Sequence, residues 1–149
     1  MSDRGSPLSR GSVPFNLWLT PDWRGYFTHP PQLQGKRFEL VVRDERSWAE
    51  LWHQLTTSAN RPAPHFPVPP IDFTREMLVA ISIGLHSDGY TVELDDVRVD
   101  TDRIVIRYHR GWDIGQSLTD SFRTPVIVAR IPRDDDHPVT FVDESTPLT

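Results

Sequence analysis

Strand-like patterns of apolar and polar residues cover most of this chain. Alternating or β-branched and aromatic positions predict strands over the following segments: residues 15–20, 23–28, 38–42, 90–99, 103–109 and 139–142. Residues 77–83 are apolar almost throughout and end at Gly84, which predicts a central strand buried on both faces. A second strongly apolar strand is predicted over residues 125–131, and its first residue, Pro125, is at a position where a strand tolerates proline.

One segment has the period of a helix instead. Trp48, Leu51, Trp52 and Leu55 fall at positions i, i+3, i+4 and i+7, which predicts an amphipathic helix over residues 45–56. Asp44 is a candidate N-cap, and Ser47 with Glu50 forms an alternative capping box one turn later. We expect the two tryptophans of this stripe to lie in the core.

Parallel strands are usually joined by a crossover connection that contains a helix, and this chain has only one predicted helix for many strands. The sheet should therefore be mainly antiparallel. The predicted fold is α+β, with a strongly twisted or barrel-like sheet and one main α-helix packed on it. Residues 1–14 are expected to be a flexible tail, followed by one domain over residues 15–149. The five prolines in residues 57–70 predict an extended connector, with a docking segment for an aromatic groove as the alternative.

Charge and composition exclude several classes of function. The net charge is −5, with 16 basic and 21 acidic residues and no basic cluster, which argues against a nucleic-acid partner. The absence of cysteine excludes disulfides, thiol catalysis and cysteine-ligated zinc. No signal peptide or long apolar run is visible, so we expect no membrane partner. The chain is then cytoplasmic if Met1 is the native start, and secreted or part of the cell envelope if preceding residues have been removed.

The residues that usually carry catalysis are scattered along the sequence. None of the six histidines is spaced from another as metal ligands are, so no metal or other cofactor is expected. There is no G-x-S-x-G elbow and no phosphate-binding glycine loop. The acidic run Asp134–Asp136 is expected to be a solvated loop and not a calcium site. We therefore predict no catalytic residues and no enzymatic activity.

Two loops are the candidate binding segments, because binding residues concentrate in loops on a rigid sheet. They are the hairpin loop at residues 84–90 and the long loop at residues 111–123. Trp112, beside Gly111, is a candidate interface anchor, with packing back over the end of the sheet as the alternative. The candidate partner-binding residues are His86, Ser87, Asp88, Gly89, Trp112, Asp113, Phe122 and Arg123.

An ordered set of segments resembles the PrcB C-terminal domain family, which is named after a subunit that stabilises a bacterial protease complex. The segments are RDERSWAELW (43–52), IDFTREMLVAISIG (71–84), DGYTVEL (88–94), RIVIRY (103–108) and TPVIVARIP (124–132). The resemblance covers residues 24–143 and implies a bacterial β-rich domain with protease association as its precedent. This chain has Asp88-Gly89-Tyr90 where relatives tend to have Gly-Gly-Tyr, and it lacks the secretion or lipid-anchor signal of many relatives.

The absence of a catalytic set predicts a non-catalytic protein-binding domain, and the family resemblance implies that it associates with, or stabilises, a protease or another protein complex. One alternative is a protease inhibitor that presents the hairpin loop to an active site. Another is a small-ligand carrier or uncharacterised enzyme with a barrel mouth lined by tryptophan and histidine. Self-association of the chain is left open.

Overall fold

A computed structural model describes residues 11–17, 26–27, 36–56, 68–84, 86–87, 90–112, 122–123 and 125–145. The elements in chain order are β1 (Gly11–Ser12), β2 (Asn16–Leu17), β3 (Tyr26–Phe27), β4 (Arg37–Val42), α1 (Glu45–Thr56), β5 (Glu76–Ile83), β6 (His86–Ser87), β7 (Tyr90–Asp100), β8 (Arg103–Trp112), β9 (Phe122–Arg123), β10 (Val126–Pro132) and β11 (Val139–Asp143). Helix α1 has the predicted bounds. No helix within the described ranges is long and apolar enough to cross a membrane.

The longer strands form two sheets. The central sheet has the order β2-β10-β5-β4, with β3 also paired to β10, and the outer sheet has the order β1-β7-β8-β11. Among the described strands of these two sheets, every pairing is antiparallel except that of β8 with β11, which is parallel. The prediction of an α+β fold with one helix and mainly antiparallel strands is confirmed. The longer described strands form two sheets and not one closed barrel.

Strand β5 explains this arrangement, because it is buried on both faces as predicted. Met77, Val79 and Ile81 belong to the core between the two sheets. Leu78 and Ala80 alternate with them and belong to a second core, between the central sheet and the helix. An apolar strand of this kind needs cover on each side, and the outer sheet and the helix supply it.

Helix α1 is fixed at its start and along its apolar stripe. The Asp44 carboxylate accepts a hydrogen bond from the Ser47 amide at 2.8 Å, so Asp44 is the N-cap and the helix begins at the earlier of the two predicted positions. All four stripe residues are buried, which confirms the expected core role of the two tryptophans. The Trp48 indole N–H also donates to the Pro69 carbonyl at 2.9 Å, so the segment after the proline-rich stretch is tied to the helix.

The chain joins the sheet earlier than the predicted domain boundary at residue 15. Gly11 and Ser12 pair with Val99 and Arg98 of β7, and Val13 is 5% exposed in the core between the sheets. Residues 1–10 lie outside the described residues, as do residues 57–67 of the proline-rich stretch. The apolar side chain of Val13 accounts for the early start, because burying it favours an ordered backbone at this point.

A polar cluster joins the two sheets where their edge strands β4 and β11 approach each other. Arg37 donates to Asp143 at 2.7 Å and to the Tyr108 hydroxyl at 3.0 Å. The Tyr108 hydroxyl in turn donates to Glu39 at 2.6 Å. Burial of Tyr108 and this hydrogen bond to Glu39 raise the pKa of the phenol, so Tyr108 stays a neutral donor.

The loop between β10 and β11 is held by Asp134, which is 1% exposed. Its carboxylate accepts the amides of Asp136 and His137 at 2.8 and 3.1 Å and lies 2.6 Å from Nδ1 of His137. The prediction of a solvated loop is therefore wrong for Asp134. The carboxylate is buried at acceptable cost because these donors replace its water.

We expect Trp48→Phe to lower the free energy of unfolding by about 1–3 kcal/mol, since it leaves the Pro69 carbonyl without its buried donor. Urea denaturation followed by circular dichroism measures the change. Trp112→Phe is the control, and because Trp112 is exposed it should change stability by less than about 0.5 kcal/mol. Equal midpoints for the two variants would contradict the role assigned to this hydrogen bond.

The pH dependence of stability should include a contribution from Asp143. Burial raises the pKa of this carboxyl, but hydrogen bonds from Ser145 and Arg37 outweigh that effect and lower it overall. A pKa that is lower in the folded state stabilises the fold above the unfolded value of about 3.9, and this contribution is lost as the pH falls through the folded value.

Asp143→Asn should therefore destabilise the protein at neutral pH, with a difference from the wild type that shrinks as the pH falls below about 4. Thermal or urea unfolding over a pH series measures this difference. Asp102→Asn, in the exposed turn between β7 and β8, controls for the loss of one negative charge. A difference that stays constant down to acid pH would refute the assignment.

Candidate functional site

The hairpin of β7 and β8 positions the first candidate residues. The tight turn at its closed end contains Thr101, which has a φ of 46°. The register then places Tyr90 opposite Trp112 at the open end. Val92 and Tyr108, on the same face of the hairpin, are buried in the core between the sheets. Tyr90 and Trp112 therefore continue the inner face of the hairpin beyond the part that the central sheet covers.

Trp112 is 45% exposed, and its position is fixed by an aromatic contact. The rings of Trp112 and Tyr90 meet edge to face, with centroids 4.8 Å apart and an interplanar angle of 76°. The guanidinium of Arg110 lies 5.5 Å from the centroid of the Tyr90 ring. We refer to Tyr90, Arg110 and Trp112 as the hairpin-end surface.

Two residues of this surface were not among the predicted candidates. One is Tyr90, which is half-buried and contacts Trp112, and the other is Arg110. The alternation of Tyr108, Arg110 and Trp112 along β8 could have indicated that these three side chains share a face. The partner strand and its register, which bring Tyr90 to the same place, leave no local signal in the sequence.

The two candidate loops come together in a short ribbon. His86 pairs with Arg123, and Ser87 pairs with Phe122, in antiparallel register. The sequence predicts a hairpin loop over residues 84–90, but the strands on either side of it, β5 and β7, belong to different sheets, so this prediction is wrong. Instead, β6 and β9 join this segment to the long loop at residues 111–123. Asp88, Gly89 and Asp113 lie outside the described residues, so their predicted role stays a prediction.

Gly111 is required by its neighbours across the hairpin. A β-carbon at this position would lie 2.5 Å from Oγ1 of Thr91 and 2.7 Å from Cγ of Glu93. Any other residue would push these cross-strand side chains away and disturb the pairing beside Trp112. The glycine thus keeps the end of β8 in register, on the face of the strand opposite to the Trp112 side chain.

A histidine–aspartate pair lies on the outer face of the same hairpin. Nδ1 of His109 is 2.7 and 2.8 Å from the two carboxylate oxygens of Asp95. The side chains of His109 and Asp95 are both partly exposed. Glu93 lies directly opposite His109 on the neighbouring strand β7. The pair lies on a partly exposed face of the hairpin. Within the residues that the structure describes, no group of three His, Asp or Glu side chains is arranged to hold a metal ion.

A cavity of 290 Å³ lies elsewhere, between α1 and residues 68–73. Its lining includes Trp48 but no histidine among the described residues, which differs from the barrel mouth lined by tryptophan and histidine that the carrier hypothesis expects. The cavity belongs to the helix layer, on the opposite side of the central sheet from the hairpin.

Comparison with known proteins finds no match to this chain among protein-family models, curated proteins or solved structures. The resemblance to the PrcB C-terminal domain family therefore stays a prediction that depends on the quoted segments alone.

Proposed function

We propose that this chain is a non-catalytic protein-binding domain whose partner docks on the hairpin-end surface. The observation that carries the proposal is a half-exposed tryptophan on the end of a long strand, held in place by an edge-to-face contact with Tyr90. An aromatic side chain of this kind offers a large apolar area to a partner.

The composition of the surface supports protein recognition. Tryptophan, tyrosine and arginine are the residue types most enriched where a few side chains supply most of the binding energy of an interface. Because Trp112 is restrained by Tyr90 before any partner arrives, binding loses less side-chain entropy than it would with a freely rotating ring. The ribbon of β6 and β9 brings further backbone from both candidate loops near the same end of the hairpin.

The family resemblance supplies the class of partner, which is a protease or a protease complex that the domain stabilises. The inhibitor alternative uses the same end of the hairpin, since the loop at residues 84–90 leads directly into β7. The two versions differ in outcome: a stabilising subunit preserves the activity of the protease, and an inhibitor abolishes it.

Alanine substitution of Trp112 tests the proposal against a matched control. Leu40 in β4 is exposed to a similar extent, at 41% against 45% for Trp112, but it lies in the central sheet. We expect affinity capture from native cell extract to recover a partner with the wild type and with Leu40→Ala, and to lose it with Trp112→Ala. With the purified partner, Trp112→Ala should weaken binding about 30-fold, the effect of losing a 2 kcal/mol anchor.

Recovery of the same proteins in equal amounts with both variants would show that the hairpin end is not the docking surface. If the partner is a protease, its activity with and without the domain separates the two versions of the proposal. Full activity together with longer lifetime supports a stabilising subunit. Stoichiometric loss of activity supports the inhibitor instead.

A further inference from the structure

Strand β7 has strand partners on both sides over only part of its length. On one side it pairs with β8 from end to end. On the other side, β1 pairs with Arg98 and Val99, and the amide of Val13 donates to the Val97 carbonyl at 2.8 Å. Within the part of the chain that the structure describes, residues 91–96 have no strand partner on this second side.

The N-terminal segment leaves β7 where the strand is irregular. After Val13 the chain crosses to the central sheet, where β2 pairs with β10. A bulge between Leu94 and Asp96 separates the part of β7 that pairs with β1 from residues 91–94. We refer to the side of residues 91–94 that is turned away from β8 as the open edge of β7. Alternate residues direct their N–H and C=O groups to this edge, where a further strand can bond to them.

The two faces of the sheet at the open edge differ in polarity. Val92 is buried in the core between the sheets, and Leu94 is partly buried against the same core. Thr91 and Glu93 lie on the opposite, outer face, where Glu93 is exposed. A strand added here therefore needs aliphatic side chains on its inner face, beside Leu94, and polar side chains on its outer face.

The outer face beside the open edge carries a net negative charge. It has three carboxylates, from Glu93, Asp95 and Asp96. The basic groups of β8 that face them are Arg107, 3.5 Å from Asp96, and His109, 2.7 Å from Asp95. Glu93 makes no ion pair within the described residues, and its side chain leans over β8. A long basic side chain on an added strand is therefore the group that suits Glu93 best.

The same charges disfavour a second copy of this chain as the added strand. Two β7 edges paired with each other would bring their acidic outer faces side by side, which like charges destabilise. The bulge at Asp95 increases the local twist, and bulges of this kind protect strand edges from self-pairing. On the inner face, Arg110 lies opposite Val92, so basic side chains of the added strand are favoured on the outer face only.

We infer that the partner adds a short extended strand to the open edge of β7, and that basic residues alternate with aliphatic ones along this strand. The aliphatic side chains pack beside Leu94, and a lysine or arginine side chain reaches Glu93 on the outer face. Backbone hydrogen bonds supply affinity and the alternate side chains supply specificity. The inference rests on the proposed function, because the open edge runs up to the hairpin-end surface and defines how the partner approaches it.

Titration of the full chain with a synthetic peptide tests the inference. The peptide has about six residues, alternating valine with lysine, and both of its ends are blocked. We expect saturable binding in proton–nitrogen NMR spectra, with slower amide hydrogen exchange within residues 91–94. A peptide with glutamate in place of lysine should bind more weakly. A lysine peptide methylated on every backbone nitrogen cannot donate to the edge and should bind about tenfold more weakly or worse.

Glu93→Gln should weaken binding of the lysine peptide about twofold to fivefold, as expected for an exposed ion pair. Asp102→Asn is the matched control, because it removes a carboxylate from the closed end of the same hairpin, and it should leave the affinity unchanged. Equal affinity for the lysine and glutamate peptides, an equal loss with Asp102→Asn, or full binding of the methylated peptide would overturn the inference.

Failure of this inference can be distinguished from failure of the proposed function. If Trp112→Ala abolishes capture of the partner but the methylated peptide binds as well as its parent, the docking surface stands and strand addition is refuted. Slower exchange within residues 91–94 on binding, together with partner capture that is insensitive to Trp112→Ala, would support strand addition and refute the tryptophan anchor.

Discussion

Burial of the central sheet on both of its faces is the constraint that organises this protein. In β5, Met77 to Ile83 are all buried, and in β10 beside it Val126 to Ala129 and Ile131 are buried. Each apolar face must be removed from water, which places a second sheet on one side and an amphipathic helix on the other. The one polar side chain in that stretch, Ser82, satisfies its hydroxyl at the strand end, where it donates to the carbonyl of Lys36 and accepts from the amide of Gly84.

The hairpin-end surface and the cavity beside helix α1 are two places where this cover is incomplete. On the outer-sheet side, the hairpin of β7 and β8 is longer than the strands it covers, so Tyr90 and Trp112 continue beyond the core that buries Val92. On the helix side, the segment at 68–73 meets α1 at its first turns but does not fill the space between them. Each of these features arises where one layer of the fold extends past, or only partly covers, the layer beside it. Neither feature interrupts the packing of the central sheet.

Local patterns in the sequence predict which segments are helices and which are strands, but they do not predict which elements pair or pack together. Helix α1 could be predicted because its apolar period and its N-cap depend only on residues that are close together in the sequence. The apolar run at residues 77–83 likewise predicts a strand that is buried on both faces. A period of two shows which side chains share a face, but it does not show whether β8 pairs with β11 in parallel or how the strands divide between two sheets. The same limit hid the contact of Tyr90 with Trp112 and the burial of Asp134, since each depends on groups that the rest of the fold brings together.

The order of the strands along the chain has a consequence for synthesis on the ribosome. Strand β5 pairs on one side with β4, which precedes it, but its partner on the other side, β10, is translated only after the whole β7–β8 hairpin. At ordinary rates of translation, a strand with two apolar faces and one open edge therefore waits on the order of seconds for its neighbour. During that interval the nascent chain is a natural substrate for chaperones, and premature termination after the hairpin would leave an aggregation-prone fragment.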